Sequence, residues 1–301
     1  MRVEPWPALP LASWSDTLET LHLWTQIVGK IRLSLTPLVN HWWNVPLYVS
    51  ARGLTTTAIP YGDRWFDCEF DFIDHVLRVR TNAGEERTIA LAPRSVADFY
   101  AGTMAALGAL DIHPTIWTTP VELRNGEPIP FERDEVHGSY DRDSVQRFWR
   151  IVSRSAAVLT EFRGRFVGKC SPVHFFWGSF DLAVTRFSGR AAPTEGMTDR
   201  IEREAYSHEV SSVGWWPGDV RLPEPHYYSY AFPEPPGYRD ARVRPDDAYY
   251  HPTLNGFYLP YETLRTAAEP ELQLLEFCQS TYEAAADLGR WDRSALERSE
   301  R

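Results

Sequence analysis

The chain has little lysine, little cysteine and no long apolar run. Of its 31 basic residues, 29 are arginine and two are lysine, Lys30 and Lys169. No apolar stretch approaches the roughly 18 residues of a membrane span, so no transmembrane segment is predicted. The cysteines Cys68, Cys170 and Cys278 are far apart and form no C-x-x-C pair. Such sparse thiols are typical of small core residues in a reducing compartment, and we expect a cytoplasmic protein.

The chain also has fewer basic than acidic residues. Acidic residues number 41 and the formal net charge is −10. Sequence-independent nucleic-acid binding needs a basic face that neutralises phosphates, so this partner class is excluded, and an anionic membrane surface is disfavoured. One basic pocket can still exist in an acidic shell, so a small anionic molecule remains a candidate partner. The 14% aromatic content indicates a folded globular protein.

The order of the motifs predicts an internal duplication. Each half has an amphipathic helical pattern, a Val-Gly-Lys tripeptide, a proline and then an aromatic strand. The aromatic strands, residues 43–52 and 177–186, run from Trp to Arg with identical spacing. Each half closes on a helix with the pattern Phe-x-x-x-Thr. The predicted fold class is α+β, with two pseudo-symmetric helix–antiparallel sheet–helix repeats.

Composition sets the boundaries of these repeats. A stretch rich in proline and charge separates the two halves, as a linker does. The second half is also longer than the first between its aromatic strands. The predicted parts are a first repeat over residues 1–118, a linker over 119–142, a second repeat over 143–301 and an insertion over 187–217.

The first half shows strand chemistry. Residues 65–72 alternate between apolar and acidic side chains, which predicts a strand with one wet face. A tight turn near residues 74–75 would place Asp71 opposite Arg78, and Glu69 opposite Arg80. Cross-strand ion pairs explain this acidic face better than a divalent cation does. A helix over residues 95–110 with an N-cap serine follows.

His22, Gln26 and Lys30 form a polar stripe at helical spacing. A polar stripe beside an apolar one is typical of a surface helix. The scarcity of lysine keeps a functional role open, because a buried lysine can lower its pKa and an arginine cannot.

The second half carries titratable residues that the first lacks. Asp181 stands where the first half has Leu47, and the insertion over 187–217 has only a short counterpart there. This insertion contains Glu204, Tyr206, His208 and Glu209. Long loops rich in such residues are more often sites than packing devices. We therefore expect the site in the second half, with Tyr206 and His208 on one face of a strand.

The leading hypothesis is an enzyme that acts on a small anionic molecule with a histidine and a carboxylate as its acid–base pair. The candidate catalytic residues are His208, His174, Glu209, Asp181 and Glu204. The candidate substrate-binding residues are Lys169, Lys30 and Arg186 for the anion, and Trp177 and Tyr206 for the pocket walls. If the two lysines serve the site, their side chains should enter a shared or equivalent cavity.

Two other functions stay open. The first is a non-catalytic small-molecule-binding module with an aromatic-lined pocket. The second is a partner-binding protein that uses Trp215 and Trp216. The nine histidines have no metal-ligand spacing such as H-x-H, so a metal site would have to be assembled in three dimensions. Metal, cofactor, reaction type, substrate and oligomeric state are left open.

Four motifs carry a resemblance over nearly the whole chain. They are LHLWTQIVGK at 21–30, NHWW at 40–43, SPVHFFWGSFD at 171–181 and EAYSHEVSS at 204–212. With these motifs the chain resembles an uncharacterised bacterial family of unknown function, DUF5996. The resemblance implies no reaction, substrate or catalytic residue. It does imply that the family repeats the segments singled out above.

Overall fold

In the computed structural model, which describes residues 4–124 and 126–298, the first long element is helix α1, Ser15–Leu35. Its buried residues run without a break from Thr20 to Arg32. A helix that is buried on all sides belongs to the middle of a core. The prediction of a surface helix is therefore wrong, because the polar stripe of His22, Gln26 and Lys30 is at most 4% exposed.

The first sheet has six short strands, and each pair is antiparallel. They are β1 Tyr48–Val49, β2 Gly53–Thr55, β3 Ile59–Tyr61, β4 Arg64–Asp71, β5 Val76–Thr81 and β6 Glu86–Ala90. The strand order is β1-β2-β4-β5-β6, with β3 also paired to β4. Helix α2, Val96–Gly108, follows the sheet. The side chain of Ser95 accepts the backbone N–H of Asp98, which confirms the predicted N-cap.

The hairpin between β4 and β5 has a different register from the predicted one. Its turn has four residues, 72–75, because the Asp71 side chain accepts the backbone N–H groups of Ile73 and Asp74 and closes the turn. Glu69 therefore lies opposite Arg78. The predicted ion pairs survive as diagonal contacts, Arg78 to Asp71 at 3.1 Å and Arg80 to Glu69 at 2.9 Å. The face is only partly solvated, because Asp71 and Glu69 are buried whereas Asp67 and Arg80 are partly exposed.

The second unit begins with α3, Arg142–Gly164, and contains a second antiparallel sheet. Its strands are β7 His174–Phe176, β8 Asp181–Ala191, β9 His208–Trp216, β10 His226–Phe232, β11 Tyr249–His251 and β12 Gly256–Pro260. The strand order is β11-β12-β10-β9-β8-β7. The other helices are α4 Arg200–Ala205, α5 Tyr261–Arg265, α6 Pro270–Leu288 and α7 Arg293–Leu296. No helix in the described ranges has both the length and the apolar character to cross a membrane.

Neither aromatic segment is one continuous strand. Residues 40–42 form a 3-10 turn in which His41 and Trp42 have φ values of 58° and 62°. Only β1 pairs as a strand in that segment. In the second segment a turn over residues 177–180, with Phe180 at a φ of 57°, separates β7 from β8. Left-handed backbone at non-glycine residues ends a strand, and composition does not reveal it.

The two sheets meet at their edge strands. The backbones of Leu47 and Phe175 exchange two N–H···O=C bonds, both 2.8 Å long. Trp177 reaches from the second unit to α1, where the absence of a Cβ at Gly29 makes room for its ring. Its Nε1 also donates to the Val45 carbonyl at 2.8 Å. One continuous apolar core extends through both units.

Three sequence interpretations change in the structure. The predicted insertion over 187–217 contains the end of β8 and the whole of β9, and residues 192–207 form the connection between these two strands. The Val-Gly-Lys tripeptides are not equivalent, because Lys30 is inside α1 whereas Lys169 follows the end of α3. The predicted linker over 119–142 is also more than a connection, because part of it packs into the protein core.

Candidate functional site

A cavity of about 1210 Å³ opens beside the second sheet. Its lining is polar and rich in phenols, and it includes Glu122, Arg124, Ser179, Asp181, Tyr206, Trp216, Asp219, Tyr228, Tyr230 and Tyr258. The strands β8, β9, β10 and β12 supply part of the lining, and the segment 122–124 supplies another part. The site therefore combines the second sheet with a piece of the predicted linker.

The polar stripe of α1 holds that linker segment in place. The Gln26 side chain donates to the Val121 carbonyl at 2.7 Å and accepts the Val121 N–H at 2.9 Å. Lys30 donates to the carbonyl of Thr119 and lies under the ring of Trp117, 4.6 Å from its centroid. These contacts satisfy backbone groups that a loop could not bury alone. The buried stripe thus positions the residues that line the cavity.

His22 contacts the backbone beside the cavity, at Gly178, which precedes the lining residue Ser179. Its Nε2 lies 2.7 Å from the carbonyl oxygen of Gly178. Burial, together with the charge of Arg124, lowers the pKa of His22 to about 3, so the ring is neutral at physiological pH. A Cβ added at Gly178 would lie 2.7 Å from Glu122 Oε1, so the missing side chain leaves room for the Glu122 carboxylate.

Asp181 is the buried carboxyl of the cavity. It is 6% exposed and accepts hydrogen bonds from the hydroxyls of Ser179 and Tyr228. Burial raises the pKa of Asp181, and it also raises the pKa of Tyr228 well above its usual value. A carboxyl with a raised pKa can take up and release a proton closer to neutral pH than a solvated one.

Phenols continue from this pair along strand β10. Tyr228 and Tyr230 are two residues apart on one face, and their rings stack with centroids 6.1 Å apart. The Tyr206 hydroxyl donates to that of Tyr230 at 3.2 Å. Burial raises the pKa of all three phenols. The phenols are therefore neutral at physiological pH and present hydroxyl groups to a ligand.

Among the described residues, no carboxylate lies within ion-pair distance of Arg124, although the charges of Asp219 and Glu19 partly offset the lowering of its pKa. Its Nε and Nη1 atoms are buried and have no hydrogen-bond partner among the described residues. Burial lowers its pKa to about 10, so the guanidinium is still charged at neutral pH. The other lining arginines have partners, Arg221 with Asp219 at 2.7 Å and Arg239 with Glu234 at 3.0 Å. Guanidinium groups form strong, bidentate hydrogen bonds with anions.

Two of the ten candidate site residues, Asp181 and Tyr206, line this cavity. Tyr206 does not share a strand face with His208, because it is the C-cap of α4 and the strand begins at His208. His208 is half-buried, and its closest ring neighbour is His41, 5.5 Å away between centroids.

A second group of candidates surrounds His41. Lys169 Nζ lies 2.6 Å from His41 Nε2, and His41 Nδ1 lies 3.1 Å from the Ala205 carbonyl oxygen. The carbonyl can only accept, so His41 carries its proton on Nδ1 and accepts from Lys169. Glu204 accepts the backbone N–H of His41 at 3.0 Å. Burial lowers the pKa of both His41 and Lys169.

Three candidates lie in the core. His174 is 1% exposed and contacts Phe176, and burial lowers its pKa to about 3. Arg186 is fully buried and stacks on Phe162, with its Cζ 3.5 Å from the ring centroid. Trp177 fills the space at Gly29. The side chains of His174, His208 and Lys169 are thus divided between the core and the His41 group.

The remaining candidates have structural partners. Glu209 accepts hydrogen bonds from Ser188 and Arg190, both at 2.8 Å. The two lysines do not share an environment, because Lys30 contacts Thr119 and Lys169 contacts His41. The described residues contain no group of three or more His, Cys, Asp or Glu that could hold a metal ion.

Sequence reasoning missed the residues that join Asp181 in the cavity. Glu122 and Arg124 lie in a segment that resembles a linker. The alternation of Tyr228, Tyr230 and Phe232 along one strand was a readable signal, because alternate residues share a face. Nothing local indicated that this face would meet residues more than 100 positions earlier.

Comparisons with known proteins identify a family and no activity. A family model described as a family of unknown function, DUF5996, matches residues 6–298. No curated protein and no solved structure matches the chain.

Proposed function

The chain belongs to the family of unknown function DUF5996, and from this premise we propose that it binds a small anionic molecule in the cavity beside the second sheet. One observation carries the proposal: the Arg124 guanidinium, whose buried Nε and Nη1 have no hydrogen-bond partner among the described residues, lines the same cavity as the buried carboxyl of Asp181. A large cavity with a few convergent polar groups is the default place for a ligand. Arg124 takes the anion-binding role that the sequence suggested for Lys169 and Arg186.

The proposed activity is proton transfer by Asp181 and Tyr228. The two groups share a hydrogen bond, and burial raises the pKa of each. Asp181 would exchange the proton, while Tyr228 and Ser179 orient its carboxyl. This pair replaces the histidine and carboxylate pair of the sequence hypothesis, because no histidine is among the described residues that line the cavity.

The first experiment tests binding. Wild type, Arg124→Gln and Arg239→Gln are screened by thermal shift and calorimetry against small carboxylates, phosphates and sulfates. A hydrogen bond to a charged group contributes about 1.5–3 kcal/mol, so Arg124→Gln should weaken binding by about 10- to 150-fold. Arg239→Gln is the matched control, because Arg239 lines the same cavity but pairs with Glu234. Equal binding by wild type and Arg124→Gln would refute the proposal.

A second function, a non-catalytic binding module, is favoured by one specific observation. The carboxyl of Asp181 already accepts two hydroxyl hydrogen bonds, and the phenols around it stay neutral. Mass spectrometry of a bound ligand after incubation separates the two functions. An enzyme converts the ligand, and Asp181→Asn abolishes conversion while retaining binding. A binding module returns the ligand unchanged.

We also propose that the two units arose by duplication. The strand order β1-β2-β4-β5-β6 matches β7-β8-β9-β10-β12, with β3 and β11 as additions. This match pairs β1 with β7, so it replaces the sequence alignment of residues 43–52 with 177–186, which would pair β1 with β8. In each unit the helix before the sheet contacts a helix after it, α1 with α2 and α3 with α6. The reciprocal bonds between Leu47 and Phe175 fit a pseudo-twofold axis. Superposition of the five matched strands tests this, and mismatched strand directions or connections would contradict it.

A cytoplasmic location is the last part of the proposal. The three cysteines are free thiols and two of them, Cys68 and Cys278, are buried, which suits a reducing compartment. Cell fractionation with marker enzymes tests the location. Recovery of the protein outside the cytoplasmic fraction would contradict it.

A further inference from the structure

A second, smaller cavity adjoins the first one. It has a volume of about 230 Å³ and lies between the N-terminal part of the chain and the segment 219–223. Its apolar lining comes from Leu11, Ala12, Leu18, Val220 and Pro223. Glu19 and Ser15 are its polar lining residues from the first turns of α1. The smaller cavity is thus mainly apolar, in contrast to the phenol-rich one.

Arg124 stands at the junction of the two cavities. Arg124, Asp219 and Val220 line both of them. Asp219 is paired with Arg221 at this junction, whereas Nε and Nη1 of Arg124 are buried and lack a hydrogen-bond partner. A ligand anion bound to Arg124 would therefore have hydroxyl groups on one side and apolar side chains on the other.

We propose that the ligand is an amphipathic anion, with its anionic group on Arg124 and a short aliphatic chain in the smaller cavity. This inference rests on the proposed function and specifies its ligand class. A water occupies about 30 Å³ in the liquid, so 230 Å³ accommodates a chain of a few methylene groups. Leu18 and Pro223 would contact the chain, and any hydroxylated part would face the phenols.

Chain length is the measurable consequence. Each buried methylene contributes about 0.8 kcal/mol, which is about fourfold in affinity. Calorimetry with linear carboxylates from acetate to octanoate, and with the matching alkyl phosphates, should therefore show affinity that rises about fourfold per methylene until the cavity is full. The two head groups separate a carboxylate ligand from a phosphate ligand.

A pair of variants locates the chain. Ala12 lines the smaller cavity and is exposed, so Ala12→Phe narrows the cavity without disturbing the core. Ser13→Phe is the matched control, because Ser13 is the exposed next residue of the same 3-10 turn and does not line the cavity. Ala12→Phe should remove the gain with chain length and retain the affinity for the short anions. Ser13→Phe should retain both.

The outcomes separate this inference from the proposed function. If short and long anions bind wild type equally and Arg124→Gln weakens both, the inference is wrong and the anion site stands. A chain-length gain that persists in Ala12→Phe also overturns the inference, because the chain then lies elsewhere. If no member of either series binds, the inference falls, and the wider anion panel decides the proposed function independently.

Discussion

At Gly29 one missing methyl group determines how the two units pack. A Cβ at this position would overlap the Trp177 ring, so the ring contacts the α1 backbone directly. Gly29→Ala should lower the free energy of unfolding by about 2 kcal/mol, because a Cβ 2.2 Å from Trp177 Cδ1 puts overpacking at the upper end of its range of about 1–3 kcal/mol, and the gain in helix propensity is about 1 kcal/mol. Urea unfolding measures the change.

The control for this variant is Gly102→Ala. Gly102 lies in α2, and the nearest atom to its added Cβ would be Ile89 Cγ2 at 3.8 Å. This change should stabilise the protein by about 0.5–1 kcal/mol through the unfolded chain. If both alanine variants stabilise the protein to the same extent, the Trp177 contact at Gly29 is not tight.

His174 should make the protein sensitive to acid. Burial, with a contribution from Arg32, lowers its pKa to about 3, whereas an unfolded histidine has a pKa of about 6.5. Between these values the unfolded chain binds a proton that folded His174 does not, so stability falls as the pH falls. The expected slope is about 1.4 kcal/mol per pH unit.

The comparison of wild type with His174→Gln isolates this effect. Urea unfolding of both proteins is measured from pH 7 to pH 4. The free energy advantage of wild type should shrink by about 1.4 kcal/mol for each pH unit below pH 6. An advantage that stays constant over this range would show that His174 is protonated in the folded protein.

At the scale of elements, hydrogen bonds from Gln26 and Lys30 of α1 hold the segment 119–124, part of which lines the cavity. Gln26→Ala removes the side-chain partners of the N–H and the carbonyl of Val121, which is half-buried. We expect a loss of about 2–4 kcal/mol in unfolding free energy, because each unsatisfied buried polar group costs about 1–3 kcal/mol. Hydrogen exchange should show loss of protection at the Val121 amide.

Gln279→Ala is the matched control for Gln26→Ala. Gln279 is half-buried in α6, and its side chain donates to Glu283 of the same helix at 3.1 Å. Its removal should cost about 0.5 kcal/mol or less and leave Val121 protected. Retained protection of Val121 in Gln26→Ala would mean that the segment is held by other contacts.

At the scale of the whole molecule, the shared core should make both units unfold together. Leu47 is fully buried where the sheets meet, so Leu47→Ala should cost about 2–5 kcal/mol. Hydrogen exchange with mass spectrometry should report the same decrease for peptides from β4 and from β9. Leu33→Ala, at a residue that is 36% exposed, is the control and should change little. Separate transitions for the two units would contradict a single cooperative core.

Sequence patterns determined the elements that depend on neighbouring residues. The α2 N-cap at Ser95 and the alternation in β4 were readable because a cap and a strand face need only a few consecutive residues. The mixed α and β class and the membership of the family followed from the same local patterns. The hairpin register was wrong because the Asp71 side chain bonds within its turn and lengthens it by two residues.

The tertiary structure alone decided the site. Asp181 was predicted from its place in the chain, but its neighbours Glu122, Arg124 and Tyr228 come from segments up to about 100 residues apart. The polar stripe of α1 shows the same limit, since His22, Gln26 and Lys30 have the spacing of a surface face and yet are buried against backbone carbonyls. Periodicity reports which residues share a face, whereas burial depends on what the rest of the chain places against that face.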